Sequence, residues 1–376
     1  MKTAFKLIIL LMFSNSVFSQ KMIPIIKATS KIVDIKVGDN LNKGQWTIMP
    51  NLNPDVFDIR EVGKIVTFYT DIDSISVKIN EKTNFDFIIL LNKKDSAYTK
   101  VKYKEPYLTT LKKAKKYSLN QSREFPKFTY QDSSDVNLKR IRRDFNLDSI
   151  AGKGNEVSKL LNMMHWVHNI VRHDGGSSNP TLKNAIDLVN VCQVENRGIN
   201  CRMMAVILNE CYLSMGYKSR MITCMPKPLK FNDCHVINSV YSKQLNKWIW
   251  LDPTFDAYVM NEKGELLGLQ EVRNRLINDQ PLILNPEANW NRQNSQTKKN
   301  YLYNYMAKNL YRLETPIHST YNYETKEKGK TIKYMQLLPL DGINQEPQTK
   351  VNNNNKSNMI YKTYITNNPN LFWELK

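Results

Sequence analysis

Three short segments between residues 197 and 256 decide the fold of this chain. They are R-G-I-N-C-R-M-M-A (197–205), D-C-H-V-I-N-S-V-Y (233–241) and W-I-W-L-D-P-T-F (248–255). Cys201 opens a run with helical spacing, whereas His235 begins one strand-like run and Asp252 follows the next. This order is typical of a thiol nucleophile whose histidine base is oriented by a carboxylate.

The run after Cys201 is predicted to be a helix that ends at Gly216. Its apolar positions recur at helical spacing and are Met204, Ala205, Leu208, Cys211, Tyr212 and Met215. Cys201 is therefore expected in the first turn, where unpaired backbone N–H groups and the helix dipole favour a thiolate. Gly198 leaves space just upstream, where a substrate carbonyl has to approach the sulfur.

Residues 235–241 and 247–251 are predicted to form an antiparallel hairpin around the polar segment 242–246. Pairing about this loop places opposite one another residues whose numbers sum to roughly 487, which sets Asp252 across from His235. A carboxylate in that position fixes the imidazole tautomer and stabilises the imidazolium. The other ring nitrogen is then left to hold the thiol proton.

The three motifs carry a family resemblance. In the order G-x-N-C-R-x-x-A, C-H-V and W-x-W-L-D-P-T, they resemble the transglutaminase-like superfamily of papain-type cysteine enzymes. Gly216 followed by Arg220 is similar to the G-x-x-x-R that comes after the nucleophile helix. The resemblance implies a papain-like α+β core in which Cys201, His235 and Asp252 form a triad for acyl transfer.

Ile237 departs from the family pattern, because many members have an aromatic residue two positions after the histidine. The family includes amide-crosslinking enzymes, proteases, amidases and members that have lost activity. The resemblance therefore implies acyl transfer or hydrolysis at amide or peptide bonds through a cysteine thioester, with donor and acceptor left open. The alternative is a catalytically inactive envelope protein that uses the fold for binding or adhesion.

The oxyanion of the expected reaction needs two hydrogen-bond donors. One is the backbone N–H of Cys201, and Gln193 is the candidate for the second, although it also suits an ordinary polar loop residue. His165, His168 and His173 suggest a metal site, but no carboxylate or cysteine stands beside them at a ligand spacing. Neither a metal nor a cofactor is therefore expected.

Residues 1–19 have the composition of a cleavable secretory signal peptide, with Lys2 and Lys6 before a short apolar run. They predict a secreted or periplasmic location. No later stretch reaches 18 apolar residues, so no transmembrane anchor is expected. The five cysteines are an odd number, which suits one reactive thiol in an exported protein. Cys224 and Cys234 are the suggested disulfide pair, and the alternative is that all five are reduced.

The chain has a formal net charge of +19, and the excess is concentrated between residues 93 and 143. Fifteen Lys or Arg residues stand there against five Asp or Glu. Such a region suits an anionic polymer, or it is simply a solvated basic surface. Because export argues against nucleic acid, the expected partners are a protein, peptide or peptidoglycan-type amide substrate and possible anionic polymers.

The expected organisation is α+β, with an N-terminal antiparallel β sandwich before a papain-like transglutaminase core. Alternating apolar residues predict strands at 32–37, 64–69, 74–79 and 85–91. The predicted segments are the signal peptide (1–19), the β sandwich (20–110), a basic linker (111–150), and the catalytic domain with its C-terminal extension (151–376). Within the last segment, helices are predicted at 157–171 and 300–313 and a strand at 331–337.

Overall fold

The computed structural model describes residues 22–120, 123–341, 348–354 and 358–375. The chain divides into two units, Met1–Glu105 and Pro106–Lys376. The predicted signal peptide lies outside the described residues. Among the residues described, no helix is long and apolar enough to cross a membrane.

The first unit is a sandwich of two four-stranded sheets. Its strands, β1 to β8, are Ile25–Ala28, Ile32–Val37, Asn40–Thr47, Asp55–Ile59, Ile65–Tyr69, Ser74–Lys78, Asn84–Leu91 and Asp95–Tyr103. The sheets have the orders β1-β7-β8-β4 and β3-β2-β5-β6. Alternating residues such as Val33, Ile35, Phe87 and Ile89 form one buried core between them.

Strand direction in the sandwich differs from the prediction at two places. β1 pairs with β7 and β4 pairs with β8 in parallel, whereas the sequence predicted a wholly antiparallel sandwich. Alternation of apolar residues fixes which face a side chain takes and carries no information about strand direction. The strand-rich character of this unit was therefore predictable, and these two pairings were not.

The second unit combines helices with one large sheet. Its helices α1 to α9 are Tyr107–Lys112, Val136–Asp144, Leu147–Ala151, Glu156–Ile170, Ala185–Val194, Cys201–Ser214, Leu269–Ile277, Ala307–Asn309 and Pro369–Phe372, and a π-helix spans Lys299–Met306. Its strands β9 to β21 are Thr129–Tyr130, Ser219–Met225, His235–Ser242, Lys247–Leu251, Val259–Met260, Ile283–Leu284, Asn289–Trp290, Asn294–Ser295, Arg312–Pro316, His318–Ser319, Thr331–Leu337, Thr349–Asn354 and Met359–Thr366. This mixture confirms the α+β class.

The large sheet has the order β12-β11-β10-β17-β19-β21-β20, and apolar residues cover both of its faces. Val236 and Ile249 belong to the core formed with α4, α5 and α6. Their neighbours Ile237 and Trp250 belong to a second core that includes α7 and the π-helix. Because both faces are covered, these strands have nearly continuous burial instead of alternation.

The predicted basic linker, residues 111–150, is part of the second unit in this structure. Leu111, Leu138, Ile141 and Leu147 are fully buried there, and Asp135 caps α2 by accepting from two backbone N–H groups. Leu138 and Ile141 are the buried residues of α2, and its basic residues lie on the opposite, exposed face. This amphipathic helix was not predicted from the sequence because the charged residues of its exposed face dominate the composition of the segment.

Arg220 is a buried cation that joins the end of the chain to the large sheet. It is 1% exposed, and its guanidinium donates to the Tyr130 hydroxyl at 2.6 Å, to the Phe372 carbonyl at 2.7 Å and to the Glu374 carbonyl. The ring of Phe128 lies 3.6 Å from its central carbon. Burial lowers the pKa of Arg220 to about 10, although the interaction with Tyr130 acts to raise it.

Substituting lysine for Arg220 is expected to destabilise the protein by about 1.5–3 kcal/mol, because one ammonium cannot supply three donors in a planar fork or stack on the ring. Urea unfolding followed by circular dichroism measures the effect. Arg140→Lys is the matched control, since Arg140 forms an exposed pair with Asp144, and its change should stay within about 0.5 kcal/mol. Equal midpoints for the two variants would contradict this role of Arg220.

Candidate active site

Cys201 is the first residue of α6, as the sequence predicted. The side chain of Asn200 caps the helix by accepting from the Met203 N–H at 3.1 Å. The asparagine in the N-C-R motif therefore starts the helix at the cysteine. Most of α6 is buried in the core, which leaves its partly buried first residue at the end of the large sheet.

β11 and β12 form the predicted hairpin, with a register two residues away from the predicted one. Ser242 pairs with Lys247 and Asn238 with Leu251, so the loop has four residues instead of five. Extending this register places Asp252 opposite Ile237. His235 and Asp252 thus lie on the same face as diagonal neighbours, a separation that long side chains can bridge.

The carboxylate of Asp252 joins three donors in a buried network. Its Oδ2 lies 2.6 Å from His235 Nε2 and accepts from the Tyr301 hydroxyl at 2.6 Å. Its Oδ1 accepts from the Thr254 N–H at 2.9 Å. Both His235 and Asp252 are at most 1% exposed, so the charges face little competing water.

Tyr301 is a site residue that the sequence did not reveal. It lies in the π-helix, and its hydroxyl accepts from the indole N–H of Trp250 at 3.2 Å while donating to Asp252. The sequence shows an aromatic-rich segment here but not that one of its rings turns toward Asp252. The predicted helix 300–313 is in fact a π-helix followed by α8 and the start of β17.

The side chains of His235 and His173 and the backbone N–H of Val236 act by hydrogen bonding on the pKa of the Cys201 thiol. Burial alone would raise its pKa, but these bonds and the positive charge on His235 outweigh burial and lower it to about 6. Burial likewise disfavours the charged form of His235. Asp252 and Cys201 outweigh that effect and raise its pKa to about 10. The stable form near neutral pH is therefore a thiolate–imidazolium pair.

The three histidines suggested as metal ligands have different hydrogen-bond partners. His165 Nδ1 bonds Asp256 at 2.6 Å, whereas His168 bonds the Pro253 carbonyl and Asn289, each at 3.0 Å. Of these three, His173 is the one that lowers the pKa of the Cys201 thiol. The residues that the structure describes contain no cluster of three or more potential metal ligands.

Gln193, the sequence-derived candidate for the second oxyanion donor, is exposed near the end of α5. No hydrogen bond within the described residues joins it to Cys201. The suggested Cys224–Cys234 disulfide is not formed, and all five cysteines are free. Cys224 pairs in register with His235 and is fully buried in the core, which holds it in the sheet ladder.

Aromatic residues surround His235 although Ile237 is not aromatic. The rings of Phe255 and Tyr305 lie 5.5 and 5.2 Å from the imidazole. Ile237 itself is fully buried. The position two residues after the histidine therefore belongs to the core, and the aromatic rings beside His235 come from more distant segments.

Residues 143–253 match the core family described as the transglutaminase-like superfamily. This segment is similar to that superfamily. It contains Cys201, His235 and Asp252, and it ends before Tyr301. The candidate site thus uses residues beyond the segment that matches the family.

Solved structures also match parts of the chain. One is described as "a Putative Cysteine Protease from Cytophaga hutchinsonii", with 22% identity over 31% of this chain and 37% of the other, and a TM-score of 0.25. Another is Legionella pneumophila LapG, EGTA-treated, with 15% identity over 37% of this chain and 75% of the other, and a TM-score of 0.25. The chain covers little more than a third of the Cytophaga protein. No curated protein matches.

Removing the Tyr301 hydroxyl tests its support of Asp252 in the candidate site. Tyr301→Phe is expected to lower kcat about tenfold, because a hydrogen bond to a charged group contributes about 1.5 kcal/mol or more. The Trp250 N–H also loses its acceptor. Tyr303→Phe on the same helix is the matched control and should keep the wild-type rate. Equal rates for both variants would exclude a catalytic contribution from Tyr301.

Proposed function

We propose that the protein is a thiol enzyme that catalyses acyl transfer or hydrolysis at amide or peptide bonds through a cysteine thioester. The observation that carries this proposal is the buried His235–Asp252 hydrogen bond beside Cys201, the thiol whose pKa His235 lowers. Its two reactive groups have pKa values displaced in the directions that favour a thiolate and a proton donor at neutral pH.

The reaction follows from these charges. The Cys201 thiolate forms a bond to the carbonyl carbon, and the carbonyl electron pair moves onto oxygen. When that pair returns, the C–N bond breaks and the His235 imidazolium protonates the departing amine. The products of this half-reaction are a thioester and a free amine. Neutral His235 then takes a proton from water or from an acceptor amine while the water oxygen or amine nitrogen bonds to the thioester carbonyl carbon. The C–S bond breaks, which releases the acid or the new amide and restores the Cys201 thiolate beside the His235 imidazolium.

The alternative of an inactive binding protein rested on Ile237, the one departure from the family pattern. Phe255 and Tyr305 place aromatic rings at His235 from elsewhere in the chain. The departure therefore no longer argues for loss of activity. An intact network between three buried or partly buried groups instead favours the enzyme.

The substrate class we propose is a protein, peptide or peptidoglycan-type amide, in the extracellular or periplasmic location that residues 1–19 predict. Purified mature protein should be incubated with a casein peptide mixture, a glutamine-amide peptide plus a primary amine, and peptidoglycan fragments. Mass spectrometry then detects cleavage, amide exchange and the Cys201 thioester. Product in the wild type and none in Cys201→Ala supports the proposal. No product and no acylation of Cys201 by p-nitrophenyl acetate contradicts it.

The basic region between residues 93 and 143 remains a predicted site for anionic polymers. It spans both units, and several of its charges are paired: Lys112 with Asp279, and Arg142 with Asp148. Lys115 and Lys116 are exposed, so Lys115→Glu with Lys116→Glu should weaken binding to heparin at low salt. Added salt should weaken wild-type binding too, because the screening length falls from about 10 Å at 0.1 M to about 3 Å at 1 M. Unchanged retention on heparin would indicate a solvated basic surface.

A further inference from the structure

His173 is the second histidine at the thiol, and the backbone around it is held close to the approach to Cys201. The Asp174 N–H donates to the Ile199 carbonyl at 2.8 Å, and the Ile199 N–H donates to the Arg172 carbonyl at 3.0 Å. These two bonds form a short parallel bridge between His173 and Ile199. Ile199 precedes Cys201 by two residues, so the bridge holds His173 close to Cys201.

Gly198 is required for this approach. A Cβ added there would lie 2.8 Å from the Arg172 carbonyl oxygen and 2.6 Å from the Asp174 Cβ. The sequence suggested that Gly198 makes space for substrate. The structure shows that it makes space for the segment Arg172 to Asp174, which contains His173.

The tautomer of His173 is fixed by its neighbours. The indole N–H of Trp290 donates to His173 Nδ1 at 3.1 Å, and an indole nitrogen can only donate. Nδ1 must therefore present its lone pair, which places the proton of the neutral ring on Nε2. Asn291 holds the same residue by its backbone, accepting from the His173 N–H at 2.7 Å and donating to its carbonyl at 2.9 Å.

Since Nδ1 is occupied by Trp290, the contact with Cys201 uses the Nε2–H. His173 is then a donor toward the sulfur and cannot take the thiol proton there, because Nε2 already carries one. His235 differs, since its Nε2 faces Asp252 and its remaining nitrogen is free to exchange a proton. The two histidines at one thiol thus have separate capacities, one to move protons and the other to donate a fixed hydrogen bond.

We propose that His173 supplies the second oxyanion donor, its Nε2–H acting with the backbone N–H of Cys201 on the substrate carbonyl oxygen. The inference rests on the proposed thiol acyl transfer. As the S–C bond forms, the carbonyl electron pair moves onto oxygen within reach of a donor already beside the sulfur. The pair returns when the leaving group departs, and His173 neither gains nor loses a proton. Donors fixed in this way stabilise the charge without reorganising.

Two probes of Cys201 separate this role from simple support of the thiolate. Acylation by p-nitrophenyl acetate passes through an oxyanion, whereas alkylation by iodoacetamide displaces iodide at a saturated carbon and forms none. Both rate constants should be taken at their high-pH plateau, where the thiol is fully ionised. Their ratio then reports oxyanion stabilisation independently of the thiol pKa.

His173→Ala is expected to lower the acylation plateau by about 10²–10³-fold, as for loss of one oxyanion donor. The alkylation plateau should change by no more than about threefold, because the thiolate nucleophile remains. His173→Gln, which restores an N–H donor, should recover part of the acylation rate. Trp290→Phe removes the N–H that fixes the His173 tautomer, and it should lower the acylation plateau by less than His173→Ala does. His165→Gln, a histidine outside the site, is the matched control.

An unchanged acylation plateau in His173→Ala would overturn the inference, because backbone donors alone would then hold the oxyanion. Equal losses in acylation and alkylation would overturn it too, since they would indicate a damaged thiol site. If wild-type protein is alkylated at Cys201 but never acylated, the proposed function fails as well. If the wild type is acylated and His173→Ala is indistinguishable from it, only the role of His173 fails.

Discussion

Replacement of Cys201 with alanine is expected to abolish turnover, with a loss on the order of 10⁶-fold in kcat, as when a nucleophile is removed from a hydrolytic triad. No other group at the site can form the thioester. Alanine is the best helix former and fits the first turn of α6, so thermal unfolding should be nearly unchanged. Turnover on whichever substrate the screen identifies measures the loss.

Cys192→Ala is the control for the loss of a thiol as such. Cys192 is buried in α5, and burial raises its pKa, so this variant should keep wild-type turnover. If both variants retain activity, the thiol mechanism is wrong. If both lose it, the loss follows from damage to the fold.

The charge state of Cys201 can be measured without a substrate. Iodoacetamide labelling should rise as pH increases through about 6, the lowered pKa of the thiol. An ordinary cysteine labels through about 8.5. Below pH 6 the thiolate gains a proton, and above pH 10 the His235 imidazolium loses one. The ion pair is therefore populated between these limits, and kcat/KM should be bell-shaped with limbs near them.

Asp252→Asn is expected to lower kcat by about 10⁴-fold, because the amide leaves His235 poorly oriented and its imidazolium uncompensated. The amide N–H₂ also meets donors from His235 and Tyr301, where the carboxylate accepted from both. Loss of the negative charge lowers the pKa of His235. The upper limb of the pH profile should therefore move down, a shift that a merely structural loss would not produce.

Asp256→Asn is the matched control for Asp252→Asn. Asp256 is also buried and also bonds a histidine, His165, but it does not touch the thiol network. It should retain most of the activity and leave the pH profile in place. A profile that moves equally in both variants would mean that Asp252 has no specific coupling to His235.

The sequence predicted the features that depend on local pattern. The helical spacing after Cys201, its stop at Gly216 and the apolar-rich runs at 235–241 and 247–251 are each set by a few neighbouring residues. They were enough to locate the start of α6, the hairpin and the common face of His235 and Asp252. The register differed by two residues, which preserves the face because strand side chains have a period of two.

Contacts between distant segments could not be predicted from such local patterns. Tyr301 reaches Asp252 from a π-helix, and Trp290 reaches His173 across more than a hundred residues. Neither aromatic residue has a local signal that separates it from a core residue. His173 was noticed only as a histidine among others, because its backbone bridge to Ile199 depends on tertiary structure.

The bonds of Arg220 have a consequence for how the chain matures. Its acceptors are the carbonyls of Phe372 and Glu374, which leave the ribosome about 150 residues after Arg220 itself. Until they arrive, a guanidinium in the middle of the large sheet lacks two of its partners. Synthesis of residues 372–374 should therefore be needed before Arg220 has all its acceptors, and a nascent chain that lacks them should hold the large sheet less stably.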